Sequence, residues 1–588
     1  MRALLIAAGL SLFTAACASN PRPGPPAQPL LPADHNGPPE MPPPVAQSPQ
    51  AASMARMSEM TRVLASDDFQ GRAPGTPGED KTITYLIQQF HMAGLEPAGE
   101  NGTWTQTVPM IRTQLQSPMN VAIRQSGQTI PLKFPDDVYL GTVRATDSAR
   151  IANAPMVFVG YGVSAPERGW DDFKGVDLHG KVAVFLVNDP DFEAAAGEPV
   201  AGKFGGKTMT FYGRWVYKYE EAARRGAIAA LIVHETDAAG YPWTVVKSSA
   251  GESYNVVLPP DAQQPVLLQG WIQRPVAEAL FKRAGYDYEA LKRQARTAAF
   301  RPINLKATFS TDIPVTLTRI TSRNVLGKLT GSTYPNETIS YSGHWDAYGI
   351  GPADAQGRTI RPGAADDALG LAAMVENARQ FAAGPRPQRT LIFAAWTGEE
   401  RGLLGSEYYA RHPLFPMETM VANLTFDTLQ WNGPVNDVVV IGQGQSQMED
   451  YLADAAKAQG RYLTPEGHPE RGLFYRADHF SFAKRGVPVL LDMALAGAYD
   501  MKTGGRAEGE RWLSSFTSTC YHQTCDSWAP TWNLEGAAQE AELFYAIGNR
   551  LANNRDWPEW RASSEFRKVR DQSAAARSPT PGHGERGR

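Results

Sequence analysis

Apolar and polar positions along this chain change rhythm several times. Apolar residues at Ile83, Leu86, Ile87 and Phe90 are spaced as one face of a helix over 79–94, and a similar spacing marks 55–64. Between 152 and 290 the texture is of short continuous apolar runs at 155–160, 181–187, 229–233 and 265–268, broken by helical spacing at 219–226 and 276–284. From 315 to 555 apolar runs at 337–342, 389–396, 421–426, 438–441 and 487–491 alternate with helical patterns at 367–383, 406–411, 448–459 and 537–551. Continuous apolar strands alternating with helices predict an α/β fold. Its sheet should be mixed and mostly parallel, with helices on both faces.

The ends have a different composition. Arg2, an apolar run from Ala3 to Phe13 and the small residues Thr14-Ala15-Ala16 precede Cys17. That run is too short to span a bilayer and reads as a signal peptide. Cys17 after small residues resembles a bacterial lipobox, although Thr14 stands where Leu is usual; lipidation and plain secretion are the two readings. Residues 21–50 hold 12 of the 45 prolines and are expected to be an extended tether, assigned 18–54. The polar stretch from 559 is expected to be a disordered tail. Exported or periplasmic localisation follows, with membrane contact only through the anchor.

The 588 residues suffice for two to four domains of ~100–200 residues. The texture change predicts an inserted module at 150–295, within a discontinuous larger domain of 55–145 and 300–558. A net charge of −4 excludes a strongly basic nucleic-acid footprint. Of the three cysteines, Cys520 and Cys525 remain after the anchor. In an exported chain they form either a disulfide or two free thiols.

Five segments put His or carboxylates at the ends of apolar strands: Gly343-His344-Trp345-Asp346, Gly363-Ala364-Ala365-Asp366-Asp367, Gly398-Glu399-Glu400, Phe426-Asp427 and Tyr521-His522. Ligands of open α/β sheets bind outside the carboxyl ends of strands. Imidazoles and carboxylates converging there suit zinc. His344, Asp366, Glu400, Asp427 and His522 are enough donors for two ions that share one carboxylate, leaving Glu399 as a free carboxylate where a general base belongs. Singly, each motif has a plainer reading: a solvated Glu pair, a helix N-cap at Asp366-Asp367, a core hydrogen bond at His-x-Asp.

In this order the motifs resemble the co-catalytic di-zinc aminopeptidases of metallopeptidase family twenty-eight, over roughly 55–145 and 300–555. Gly71-Arg72-Ala73-Pro74-Gly75-Thr76-Pro77-Gly78 is similar to that family's N-terminal loop. The resemblance implies a zinc exopeptidase fold and hydrolysis of the N-terminal bond of a peptide with a free amine. His344 and Asp427 would be ligands of one zinc, Glu400 and His522 of the other, with Asp366 bridging. Glu399 would be the base, and Asp346 would hydrogen-bond His344. A cis peptide is implied at Asp366–Asp367. Leu369 and Trp345 depart from the family pattern at positions that are not ligands. The insert resembles a protease-associated domain through Gly160-Tyr161-Gly162, Leu178-His179-Gly180-Lys181-Val182 and Ala222–Ala227. Phe211–Trp215 could be a substrate rim or an aromatic hairpin, and Asp478-His479 resembles a family motif near the site.

Four rivals share parts of this pattern. Family-twenty carboxypeptidases place a lid before the last His, whereas here Asp427 and His522 are only 95 residues apart. Glutamate-carboxypeptidase-like enzymes share both site and insert. Glutaminyl cyclases generally lack the insert. Transferrin-receptor-like binding proteins lose ligands that this chain keeps.

Overall fold

A single 27-residue strand, Ile303–Leu329, organises the molecule. Its C-terminal half joins one sheet and its N-terminal half another. The computed structural model describes residues 48–577 except 248. The expected signal peptide, Cys17 and most of the expected tether fall outside these residues.

The larger sheet runs in the order Val489–Asp492, Met420–Phe426, Tyr334–His344, Arg389–Trp396, Ile303–Leu329, Thr105–Leu115, Glu252–Val256. Its first four strands are parallel and the rest antiparallel. The fold is therefore mixed, with a parallel half covered by helices on both faces. Every residue of Arg389–Trp396 and Met420–Phe426 is buried, which is why these strands read as unbroken apolar runs rather than alternating ones. Helices Pro49–Leu64, Leu369–Ala383 and Glu535–Asn553 pack together on one face. Leu404–Arg411 and His479–Ala483 pack together on the other. Val438 lies in a separate two-stranded pair, Asp437–Val440 with Tyr462–Pro465, and not in this sheet.

The smaller sheet has the order Val138–Gly141, Leu268–Gln273, Ala229–His234, Val182–Leu186, Ser148–Phe158, Ile303–Leu329, and Asn120–Gln125 also pairs with the last. The insert is thus wider than the predicted 150–295. Asn120–Gln125, Val138–Gly141 and residues 303–314 share its sheet and its core, in which Phe158 packs edge-on to Phe281 at 4.9 Å. The boundary is hidden in sequence because one strand serves both sheets without a break. Conversely, Glu252–Val256, within the insert, pairs with Thr105–Leu115 at the edge of the larger sheet.

Two further boundaries differ from expectation. Residues 49–54 open the first helix, so the tether is shorter than 18–54. The predicted tail is packed up to residue 577: Trp560 is 1% exposed and its indole donates to Gly486 O at 2.9 Å. Arg570, also 1% exposed, donates to Met420 O at 2.9 Å. Two large anchors in an otherwise polar stretch suffice to hold it. Among the described residues no helix is long and apolar enough to cross a membrane.

Candidate metal centre

Three adjacent parallel strands end side by side. His344 closes one and is in register with Trp396 at the end of the next; Asp427 follows Phe426 at the end of the third. Gly398 turns the chain after Trp396 so that Glu399 and Glu400 lie beside His344. Asp366 arrives on the segment leading into helix Leu369–Ala383, and His522 on the loop after helix Gly505–Thr519.

The structure brings all five predicted ligand residues together in two clusters that share Asp366. His344, Asp366 and Asp427 form one; Asp366, Glu400 and His522 form the other; within each, the donor atoms lie within 4.8 Å of one another. Asp366 Oδ1 is 3.1 Å from His344 Nε2 and Asp366 Oδ2 is 3.2 Å from His522 Nε2. His522 Nε2 also faces Glu400 Oε2 at 3.3 Å, yet this buried nitrogen makes no hydrogen bond of acceptable geometry. That arrangement is one of donor atoms converging on a point. The Asp366–Asp367 peptide is cis, as the resemblance implied.

Electrostatics point the same way. Burial, with Asp427 and Glu400 nearby, pushes the Glu399 carboxyl well above its ordinary value. Burial and Asp366 do the same to Glu400. Asp427 is pushed up to about 7 by burial and by Asp366. Burial works against a charged His344, but Asp366, Glu399 and Asp367 outweigh it and hold the imidazole well above its usual range. So many buried carboxylates in one place repel one another, and divalent cations relieve that repulsion. Two imidazoles and three carboxylates, all nitrogen and oxygen donors, fit zinc.

Asp346 does not do what was expected of it. His344 Nδ1 donates to the backbone carbonyl of Asp346 at 3.0 Å and is 3.8 Å from its carboxylate. The carbonyl therefore sets the tautomer, leaving Nε2 toward Asp366. The Asp346 carboxylate instead accepts the backbone N–H of Glu399 at 3.0 Å and fixes the Gly398 turn. Among the described residues Glu399's own carboxylate accepts no hydrogen bond. Two residues at the site have left-handed backbones, His522 at φ +62° and Thr428, next to Asp427, at φ +55°. Strain of this kind clusters at functional sites. Cys520 and Cys525 are disulfide-bonded and bracket His522.

Sequence reasoning missed three supporting groups. Asp367 Oδ2 accepts His344 N and Oδ1 accepts Thr428 N, both at 3.2 Å, so its carboxylate ties two strand ends together. Gly343 makes room for it, since a Cβ there would lie 2.7 Å from Asp367 Oδ2. Asp526 accepts the N–H groups of Ala365 and Asp366 at 2.9 and 3.2 Å. Arg72, fully buried, donates to the carbonyls of Trp345, Leu64, Pro362 and Gly363 at 2.6–2.9 Å. Arg72 stood in a motif the sequence displayed, and an Arg among glycines and prolines was the available signal. His479 belongs to neither cluster: its ring is buried edge-on to Phe474 at 5.1 Å, and burial lowers it to about 3. Phe211–Trp215 is not a hairpin. Phe211 packs on Phe480 at 5.0 Å, and Trp215 opens a helix.

A "Probable zinc metalloprotease" of Pyrenophora teres f. teres is 42% identical over 87 residues, 15% of this chain and 18% of that protein. One of Pyrenophora tritici-repentis is 41% identical over 98 residues, 17% of this chain and 21% of that protein. The chain thus spans about a fifth of the length of these curated relatives. Among solved structures, an aminopeptidase from Aneurinibacillus sp. strain AM-1 is 20% identical with a TM-score of 0.46, covering 85% of this chain and 94% of that one. A zinc aminopeptidase from Bacillus subtilis is 16% identical with a TM-score of 0.39, covering 86% and 95%. Residues 324–546 match the family model of Peptidase family M28. The matched stretch holds every side chain of both clusters.

Proposed function

We propose that the protein is a di-zinc aminopeptidase that removes N-terminal residues from peptides. The observation that carries this reading is the position of Asp366, with one oxygen facing His344 and the other facing His522. His344 and Asp427 would hold one zinc, Glu400 and His522 the second, and Asp366 both. When bound, the ions would polarise the scissile carbonyl and acidify the attacking water. Glu399 takes the proton of that water and passes it to the leaving amine. Its raised affinity for protons, from burial and neighbouring carboxylates, suits that shuttle. Asp346 keeps Glu399 in place through its backbone N–H. The cavity beside the clusters, lined by Tyr348, Asp366, Glu400 and His522, holds about 10 Å³, room for one water-sized group.

The smaller unit is read as a protease-associated domain that shapes access to this cavity. The chain is read as exported and anchored through Cys17, with peptides that have a free N-terminus as its partners.

Zinc-loaded protein tested on a panel of aminoacyl amides, with and without chelator, decides the matter. Chelator-sensitive release from free-amine substrates is the expected result. Cleavage only of N-blocked peptides carrying a C-terminal glutamate would move the chain to the carboxypeptidase class.

A further inference from the structure

Outside the metal clusters, the smaller sheet carries an open cleft of about 460 Å³. That volume is within the roughly 300–1,000 Å³ of ligand sites. Its floor is the outer face of three neighbouring strands. Thr308 of Ile303–Leu329 is in register with Arg124 of Asn120–Gln125 on one side and with Pro155 of Ser148–Phe158 on the other. All three line the cleft. Residues paired across strands share a face, and the next pairs along, Phe309 with Ile123 and with Ala154, are buried in the core of the insert.

Two bulges on adjacent strands border the cleft. Residues 305–307 stand opposite Met156 alone, because Asn304 pairs with Val157 and Thr308 with Pro155. Ala152 and Asn153 stand opposite Ser310, because Phe309 pairs with Ala154 and Thr311 with Ile151. At each bulge a residue that lines the cleft has a left-handed backbone, Lys306 at φ +51° and Asn153 at φ +51°. That conformation is uncommon for lysine, and bulges re-aim side chains beside functional sites.

The lining is cationic and polar. Arg124 and Lys306 are exposed, no acidic residue lines the cleft, and neither cation is in an ion pair among the described residues. Lys306 Nζ donates to Ala284 O at 3.2 Å. This joins the cleft to the end of helix Arg274–Ala284, where Lys282 and Arg283 are also exposed and in no ion pair among the described residues. The Asn304 carboxamide accepts Lys306 N at 2.8 Å, and its NH2 has no acceptor among the described residues. At Asn153 the backbone N–H donates to Ser310 Oγ at 3.0 Å, and the carboxamide has no partner among the described residues.

Guanidinium and ammonium groups recognise anionic oxygens, while carboxamides and a threonine hydroxyl recognise hydroxyl groups. No aromatic ring lines the cleft, so nucleobases find no stacking platform. The largest apolar side chain there is Pro155, so the cleft has no pocket to select the side chains of a peptide. Its open form suits a stretch of a longer chain. We propose that this cleft of the insert binds a segment of an acidic polysaccharide. The proposal stands apart from the peptidase reading, since none of its residues belongs to the metal clusters.

Calorimetry on zinc-loaded full-length protein tests it, with tetragalacturonate as the probe, maltotetraose as the neutral saccharide and tetraglutamate as the acidic peptide. Tetragalacturonate is expected to bind about tenfold more tightly than either, and to weaken as salt rises. Arg124→Gln and Lys306→Gln should each weaken it about tenfold, and Arg124→Lys should keep part of the affinity. Both side chains are exposed, so zinc content and thermal stability should stay at the wild-type level. No binding of tetragalacturonate overturns the proposal. So does equal affinity in wild type and both Gln variants, which would place the saccharide elsewhere. Equal affinity for tetraglutamate also overturns it, because charge alone would then be the determinant.

Discussion

The carboxylate of Asp526 accepts the backbone N–H of Asp366 at 3.2 Å, so a residue that is no ligand fixes the one carboxylate both clusters share. Its other oxygen holds Ala365 N at 2.9 Å. Asp526→Asn would turn an amide donor toward one of these N–H groups. Zinc affinity is expected to fall about 10–100-fold. Competition against a chromogenic chelator measures this, and unchanged affinity would remove Asp526 from the site.

Glu399→Gln keeps the shape of the proposed base and removes its basicity. Turnover is expected to drop about 10²–10⁴-fold while zinc content stays at the wild-type level. Metal analysis alongside the rate assay separates this from ligand loss. Residual activity within a few-fold of wild type would falsify the role.

Arg72 satisfies four buried carbonyls from two separate regions of the chain. A lysine ammonium has three donors and no planar fork, so Arg72→Lys cannot serve all four buried carbonyls. The expected cost is roughly 3–5 kcal/mol in urea unfolding, with a weakened metal centre. A loss below about 1 kcal/mol would show that the loop finds other donors.

Glu407 gives a pH signature remote from the metal ligands. Burial alone would raise its carboxyl, but Lys484, Arg485 and Arg411 outweigh burial and hold it at about 2, against an ordinary 4.5. Lys484 and Arg411 each lie 2.8 Å away. The folded state therefore binds fewer protons than the unfolded one between these values. The stabilisation is complete above about 4.5 and is lost as pH falls toward 2. Because its partners are partly exposed, it is about 2 kcal/mol. In metal-free protein, Glu407→Gln should be less stable than wild type at pH 6 by that amount, and the gap should narrow by pH 3. A constant gap would assign the loss to packing.

The chain wrote some of this plainly. Strands such as Arg389–Trp396 are buried on both sides, so their apolar runs survive as unbroken text. A residue at a strand end needs only its own strand to be recognised, which is why His344, Glu399, Glu400 and Asp427 were legible there; Asp366 precedes a helix and His522 follows one, not the strand ends expected of them. Tertiary structure alone decided the relations between distant segments. Local periodicity cannot show that Ile303–Leu329 carries two sheets, and the boundary of the insert went wrong there. Nor can it show that Arg72 reaches Gly363, that the Asp346 carboxylate takes Glu399 N rather than the His344 ring, or that Tyr254 covers Arg401. Those pairings join residues far apart in sequence, and they form only when buried polar groups must find partners that the closed fold leaves within reach.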